Sequence, residues 1–159
     1  MQKFNLDETS LKILALLQQN SRISYTEIGQ KIGMTSSSVK ERVQKLEDNG
    51  IITQYTTIIN NEMLGYPIIA VTSLICSGAY TQKEESIVEM LAQYPNVLEV
   101  LRFTGNTDIS IKFCAKTIEE CKEITDKLGK YGKIETSFVV TSFINNTSIN
   151  ISKMLNKKK

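Results

Sequence analysis

Residues 24–50, SYTEIGQKIGMTSSSVKERVQKLEDNG, decide how this chain is read. Ser24-Tyr25-Thr26-Glu27 is a capping box, in which the serine hydroxyl and the glutamate carboxylate each satisfy an amide that a first helical turn leaves orphaned. Ile28 and Ile32 form the buried side of the helix it opens. Gly33 then gives a sharp turn at no steric cost. The next helix begins near Thr35-Ser36 and ends before Gly50, the residue type expected just past a helix end. Val39, Val43 and Leu46 fall at i, i+4 and i+7 and so face inward. Ser36, Ser37, Lys40, Gln44 and, toward the edge, Glu41 lie on the opposite face. Small polar and basic side chains at the exposed start of a helix suit a DNA major groove. An ordinary solvated face has the same look, and this helix is charge-neutral: Lys40, Arg42 and Lys45 against Glu41, Glu47 and Asp48.

Upstream, Leu6, Leu11, Leu14 and Leu17, with Ile13 nearby, lay an apolar stripe along a helix running to about Gln19. Downstream of Gly50 the period changes. Ile51-Ile52 and Tyr55 to Ile59 read as extended, with a turn at Asn60-Asn61. Tyr66 to Cys76 is a strand with Pro67 at its start, where a missing N–H is tolerated. Thr81 to Tyr94 is a helix with a capping box at Thr81 to Glu84 and buried Ile87, Val88 and Leu91. Val97 to Phe103 and Ile109 to Cys114 are strands joined across the turn Gly105-Asn106-Thr107-Asp108. Thr117 to Tyr131 is a helix with a third capping box and an apolar face of Ile118, Cys121, Ile124 and Leu128; Ile134 to Ile144 is the last strand. The order β-α-β-β-α-β is the split ferredoxin-like unit. One face of such a sheet stays open to a partner, so a dimer at least is expected.

Composition excludes several functions. The 159 residues contain no histidine, which removes the commonest general base and metal ligand and makes a Ser-His-Asp or Cys-His system impossible within this chain. Cys76, Cys114 and Cys121 form no C-x-x-C pair, so no zinc knuckle or thioredoxin motif is written here. No metal and no cofactor is called for. The longest apolar run, Pro67 to Ile75, is far short of the ~20 residues of a spanning helix, and no secretory signal opens the chain. A soluble, cytoplasmic protein with no membrane partner is expected. The net charge of +2 is too small to argue for nucleic acid by itself. Residues 146–159 form a polar, basic tail ending in Lys157-Lys158-Lys159, for which a frayed solubilising segment is favoured over a role on DNA. Enzymatic activity is disfavoured: there is no carboxylate pair in one turn and no phosphate loop.

These residues together resemble the Lrp/AsnC family of "feast/famine" transcriptional regulators, over about residues 6–144. Leu6-Asp7, Ile13-Leu14 and Leu17-Gln18 match the family's first helix. Arg22, Ser24, Glu27, Gly33, Val39, Arg42-Val43, Leu46-Glu47, Gly50, Ile52 and Tyr55 fall at its spacing, as do Leu64-Gly65 and the G-x-x-D turn at Gly105 to Asp108. Ser10 stands where the family usually has an acid, Gly29 where it often has Ala, Lys45 where Arg is common, and Gln54 replaces a Gly before Tyr55. The resemblance implies an α+β chain: an N-terminal winged helix-turn-helix over 1–52, a β-strand linker or hinge over 53–65 that pairs between subunits, and a ferredoxin-like βαββαβ ligand-sensing and oligomerisation domain over 66–145.

The resemblance also implies double-stranded DNA as partner and a small amino acid or related metabolite bound at a subunit interface. Homodimers would assemble into higher even-numbered oligomers such as an octamer. In that frame Ser36, Ser37 and Lys40 are the candidates for base edges, although Ser36 is equally an N-cap candidate. Ser38, nearer the buried side, is expected at backbone or phosphate, and Lys45 at phosphate. Arg42 and Arg22 serve either as phosphate contacts or as internal pairs, the internal bridge being favoured for Arg42. The effector candidates are Gly105, Asn106, Thr107 and Asp108, whose carboxylate suits an α-ammonium group, with Thr136 and Ser137 as weaker ones. The competing reading is an effector-free architectural protein that wraps DNA through oligomers.

Overall fold

The computed structural model describes residues 6–77, 84–143 and 148–156. They fall into two compact units, one of residues 1–57 with 144–159 and one of residues 58–143.

The first unit opens with α1 (Glu8–Gln19), α2 (Tyr25–Ile32) and α3 (Ser36–Asp48). Each starts on a side-chain cap. Asp7 accepts from the Ser10 N–H, Ser24 from the Glu27 N–H and Thr35 from the Ser38 N–H, each bond stabilising a helix by about 1 kcal/mol. Ile13, Leu14, Leu17, Ile28, Val39, Val43 and Leu46 form one buried cluster. Leu6 does not join that stripe: it precedes the Asp7 cap and is exposed. Gly33 ends α2 with φ 73, a left-handed conformation that a Cβ disfavours. Residues 53–60 pair with no strand among the described residues, so the extended linker has no ladder within one chain. The expectation of a frayed tail is corrected for residues 148–156. Ile151–Asn156 form α6, and Ile151 packs against the helical core.

The second unit follows the expected order: β1 (Ile68–Cys76), α4 (Glu84–Ala92), β2 (Val97–Arg102), β3 (Ile109–Ala115), α5 (Ile118–Leu128) and β4 (Gly132–Phe138). The strands form one antiparallel sheet in the order β2-β3-β1-β4. Ala70, Thr72 and Leu74 alternate along β1 as fully buried residues. With Ile111, Phe113, Ile87, Leu91, Ile124 and Leu128 they fill the space between the sheet and the two helices. Two expected core residues, Val88 and Ile118, lie outside it. Val88 is exposed because Ile87 and Leu91 already define the inward stripe of α4. The last strand ends at Phe138 rather than Ile144. The Thr81 cap, Ile144, the Asn145 to Thr147 stretch and Lys157 to Lys159 lie outside the described residues.

Candidate nucleic-acid interface

Helix α3 presents its two faces as its sequence requires. Val39, Val43 and Leu46 are fully buried, each contributing about 1.5–3 kcal/mol of apolar burial. Ser36, Ser37, Lys40, Gln44 and Lys45 are exposed on the other side. The cap is Thr35, not Ser36. Its Oγ1 accepts from the Ser38 N–H at 3.2 Å and meets the Ser37 and Ser38 hydroxyls at 3.0 and 2.9 Å. Three hydroxyls thus gather at the open start of α3, and Ser36 is left facing solvent.

The turn before α3 is unusually tight, and Gly29 explains it. A Cβ there would stand 2.4 Å from the Met34 carbonyl oxygen. The Met34 N–H donates to the Gly29 carbonyl at 2.9 Å. Backbone against backbone is what holds α2 and α3 in the close pairing of a helix-turn-helix.

Arg42 is an internal bridge. Its Nη1 donates to Asp7 Oδ2 at 2.7 Å and to the buried Ser10 Oγ at 3.2 Å. The recognition-type helix is thereby tied to the cap of α1. Hydrogen bonds from Ser10, then from Arg42, hold the Asp7 carboxyl down at about 2. Arg22, Lys40 and Lys45 are exposed and enter no ion pair among the described residues, which suits phosphate or base recognition. The far end of α3 is tied to the linker: Tyr55 donates to Glu47 Oε1 at 2.9 Å. Burial and then the Glu47 carboxylate push the Tyr55 phenol up, so it stays protonated as the donor.

The expected effector residues divide. Gly105 to Asp108 join β2 and β3, with the Phe103 N–H donating to the Asp108 carbonyl at 2.8 Å. The Asp108 carboxylate is engaged with the end of β1: Oδ2 accepts from the Cys76 N–H at 2.7 Å. Thr136 and Ser137 are not beside this turn. They pair with Thr72 and Val71, which puts them roughly 13 and 17 Å along β1 from Cys76 at the rise of a strand. They also point to opposite faces. Thr136 lies on the helix-covered side, sharing a 2.8 Å hydrogen bond with buried Thr72, whereas Ser137 is exposed on the other. By strand parity the two side chains do not share a face of the sheet.

Asp7 and Ser10 as the anchor of Arg42 were legible only in part, as an aspartate preceding a helix with an amide three residues on. Gln18, which holds the segment around α6 from 130 residues away in sequence, carried no signal at all.

Two family models match in chain order: winged helix-turn-helix DNA-binding over residues 6–53 and the Lrp/AsnC ligand binding domain over residues 70–149. The chain is 33% identical over 131 residues to the transcriptional regulator FL11 of Pyrococcus horikoshii, covering 82% of this chain and 84% of the relative. It is 31% identical over 134 residues to LrpC of Bacillus subtilis, covering 84% and 91%. The solved structure of Bacillus subtilis LrpC superposes with a TM-score of 0.82 at 28% identity, over 90% of this chain and all of that one. A Neisseria meningitidis transcriptional regulator in complex with L-methionine gives 0.85 at 25% identity, over 94% and 99%. No helix among the described residues is long and apolar enough to cross a membrane. The relatives are named regulators and not enzymes, and this chain belongs to the Lrp/AsnC family of transcriptional regulators, with a DNA-binding and a ligand-binding domain.

Proposed function

We propose that the chain is a sequence-specific regulator whose α3 enters the major groove and whose DNA affinity is set by a small amino acid or related metabolite. The observation that carries the DNA half is the two-sidedness of α3. Its inner face is fully buried, and its outer face offers Ser36, Ser37 and Lys40 beside a cluster of cap hydroxyls. Ser36, Ser37 and Lys40 contact base edges; Arg22, Lys45 and Ser38 position the helix on phosphates. Arg42 acts behind them, fixing α3 to α1.

The effector binds at a subunit interface near the Gly105 to Asp108 turn, with the Asp108 carboxylate facing its ammonium group. The methionine complex of the Neisseria relative supports an amino acid of that kind. Self-association into dimers and larger even assemblies is supported by exposed Leu98, Val100, Leu101 and Phe103 on and beside the edge strand β2. Residence in the cytoplasm follows from the reading as a regulator of genes.

The test is to select a site from random duplexes and measure binding by anisotropy at fixed salt. Lys40→Ala is expected to weaken the selected site by about 5- to 100-fold, the range expected when one base-edge interaction is removed, with the thermal midpoint unchanged. Equal affinity of the parent for all duplexes would replace this reading with the architectural one.

A further inference from the structure

Helix α3 is bound at its far end to the chain that follows it. Past Asn49 the backbone wraps over the last turn. The Gly50 N–H donates to the Glu47 carbonyl at 2.9 Å, and the Ile51 and Ile52 N–H groups both donate to the Leu46 carbonyl, at 2.9 and 3.2 Å. Gly50 makes this turn at φ 67, a conformation that a Cβ disfavours. Ile52 then packs on the helical core. From there the chain runs extended, and Tyr55 reaches back to α3, its hydroxyl donating to Glu47 Oε1 at 2.9 Å. The Tyr55 ring borders a cleft that Leu17, Ile23 and Tyr25 also line. One side chain thus spans from the α1–α2 connection to the end of α3.

Two features of the sequence have no use in a slack connector. Glu47 stands in the last turn of α3, where the helix dipole favours a cation and a carboxylate costs stability. A helix that had only to fold would carry a lysine or arginine there, and here the position holds the acceptor for Tyr55. Asp48, the other acid of that turn, takes a bond from Gln44 Nε2 within the helix at 2.9 Å. The second feature is stiffness. Three of the five residues Thr53 to Thr57 are β-branched and none is glycine, a composition that keeps backbone extended. A stiff strut fixed at Ile52 and again at Tyr55 holds α3 at one angle to the strand that carries it. Two recognition helices of a dimer must meet half-sites one helical turn, about 34–36 Å, apart. The angle between each α3 and its linker then decides which separations can be bridged.

We propose that the Tyr55–Glu47 hydrogen bond is a positioning latch that sets the half-site spacing the dimer accepts, Tyr55 acting through α3 and not on DNA itself. This rests on the reading above of a DNA-binding, self-associating regulator. A duplex of the wrong spacing is bound only by turning α3 away from its linker, which breaks the latch. The discrimination it supplies therefore equals the strength of that bond, about tenfold in affinity for a hydrogen bond to a partly exposed charged group.

The experiment uses the full chain and a half-site obtained by selection, set as inverted repeats whose centres move apart in single base-pair steps over one turn, about 10 base pairs. A duplex with one half-site is the control, and affinity is read by anisotropy at fixed salt. The parent is expected to prefer one spacing. Tyr55→Phe keeps the ring and removes the hydroxyl. Its preferred spacing is expected to lose about tenfold of its advantage over the others, with affinity for the single half-site retained. Glu47→Gln, which keeps an acceptor oxygen, is expected to hold more of the profile than Glu47→Ala. The double variant Y55F/E47A is expected to be no flatter than Y55F alone. A Tyr55→Phe profile identical to the parent's would overturn the latch. Equal weakening of the single half-site and of every spacing would overturn positioning as its role, since the bond then supports the fold alone. A parent that binds the half-site but accepts all spacings alike would overturn the inference and leave the DNA-binding reading standing. A parent that binds no duplex would bring down both.

Discussion

Residues 1–57 with 144–159 hold eleven basic and six acidic residues, whereas residues 58–143 hold eight basic and eleven acidic. Apolar exposure runs the other way. The helical unit encloses its stripe, and its exposed large hydrophobics are few and scattered. The sheet unit shows Ile75, Leu98, Val100, Leu101, Phe103 and Phe138 to solvent, with Val140 at 96% and Phe143 at 93% exposure. Three helices can close a core on themselves, but a four-stranded sheet has two faces and α4 and α5 cover one. The first unit is thus finished within the chain and turns a charged surface outward. The second is unfinished and turns an apolar surface outward, the kind that marks protein interfaces.

The finished state of the helical unit is broken most directly at Gly29. Helix propensity alone says that alanine stabilises an interior helical position by about 1 kcal/mol over glycine. Here the added methyl would meet the Met34 carbonyl at 2.4 Å, and the obstacle is backbone that cannot swing aside. Gly29→Ala is expected to cost about 1–3 kcal/mol, as overpacking does, read as a lower urea midpoint at unchanged slope. A stabilised variant would mean that the α2–α3 turn gives way.

Asp7 sharpens the same point with a smaller effect. Asp7→Ala removes the cap of α1 and the anchor of Arg42. The cap is worth about 1 kcal/mol, and a half-exposed ion pair adds less than that after solvent screening, so about 1–2 kcal/mol is expected in all. The folded carboxyl sits at about 2, below its ordinary value of 3.8. Its contribution is therefore complete above about pH 5 and is lost as pH falls toward 2. Thermal midpoints of parent and variant should converge across that window. A gap of constant size would assign the effect to something other than the ionised carboxylate.

How much of this could be read beforehand depended on sequence distance. Ser24 and Thr117 accept from amides three residues on and Gly33 turns the chain at positive φ, and these roles were written locally. Even there, Thr35 took the cap for which Ser36 was also a candidate, since the sequence places the helix start near Thr35-Ser36. The succession of helices and strands followed from the switch of period, and the opposite facing of Thr136 and Ser137 was available from parity alone. The choice between phosphate and internal bridge for Arg42 depended on Asp7, 35 residues away. The partnership of Gln18 with Ser148 to Ile151 joins chain ends by polar groups common everywhere on a surface, and no local pattern encodes it.

Asp108 probes the unfinished unit, and it costs the fold least. Its carboxylate does for β1 what Asp7 does for α1, accepting a backbone N–H, here that of Cys76. Asp108→Asn keeps a carbonyl oxygen in the place of that acceptor and removes the charge. The loss of stability is expected to stay below about 1 kcal/mol, since a neutral hydrogen bond replaces a charge-assisted one. An α-ammonium group, however, is recognised through the charge. In a thermal scan against the twenty amino acids, a ligand at ~100 times its Kd adds about 2.7 kcal/mol per site. The parent should respond to a small subset and the asparagine variant to none, while both keep the same DNA affinity without effector. If the variant responds with the parental midpoint, the carboxylate is a structural staple of the β1 end only. The effector must then be recognised by other residues of the sheet unit.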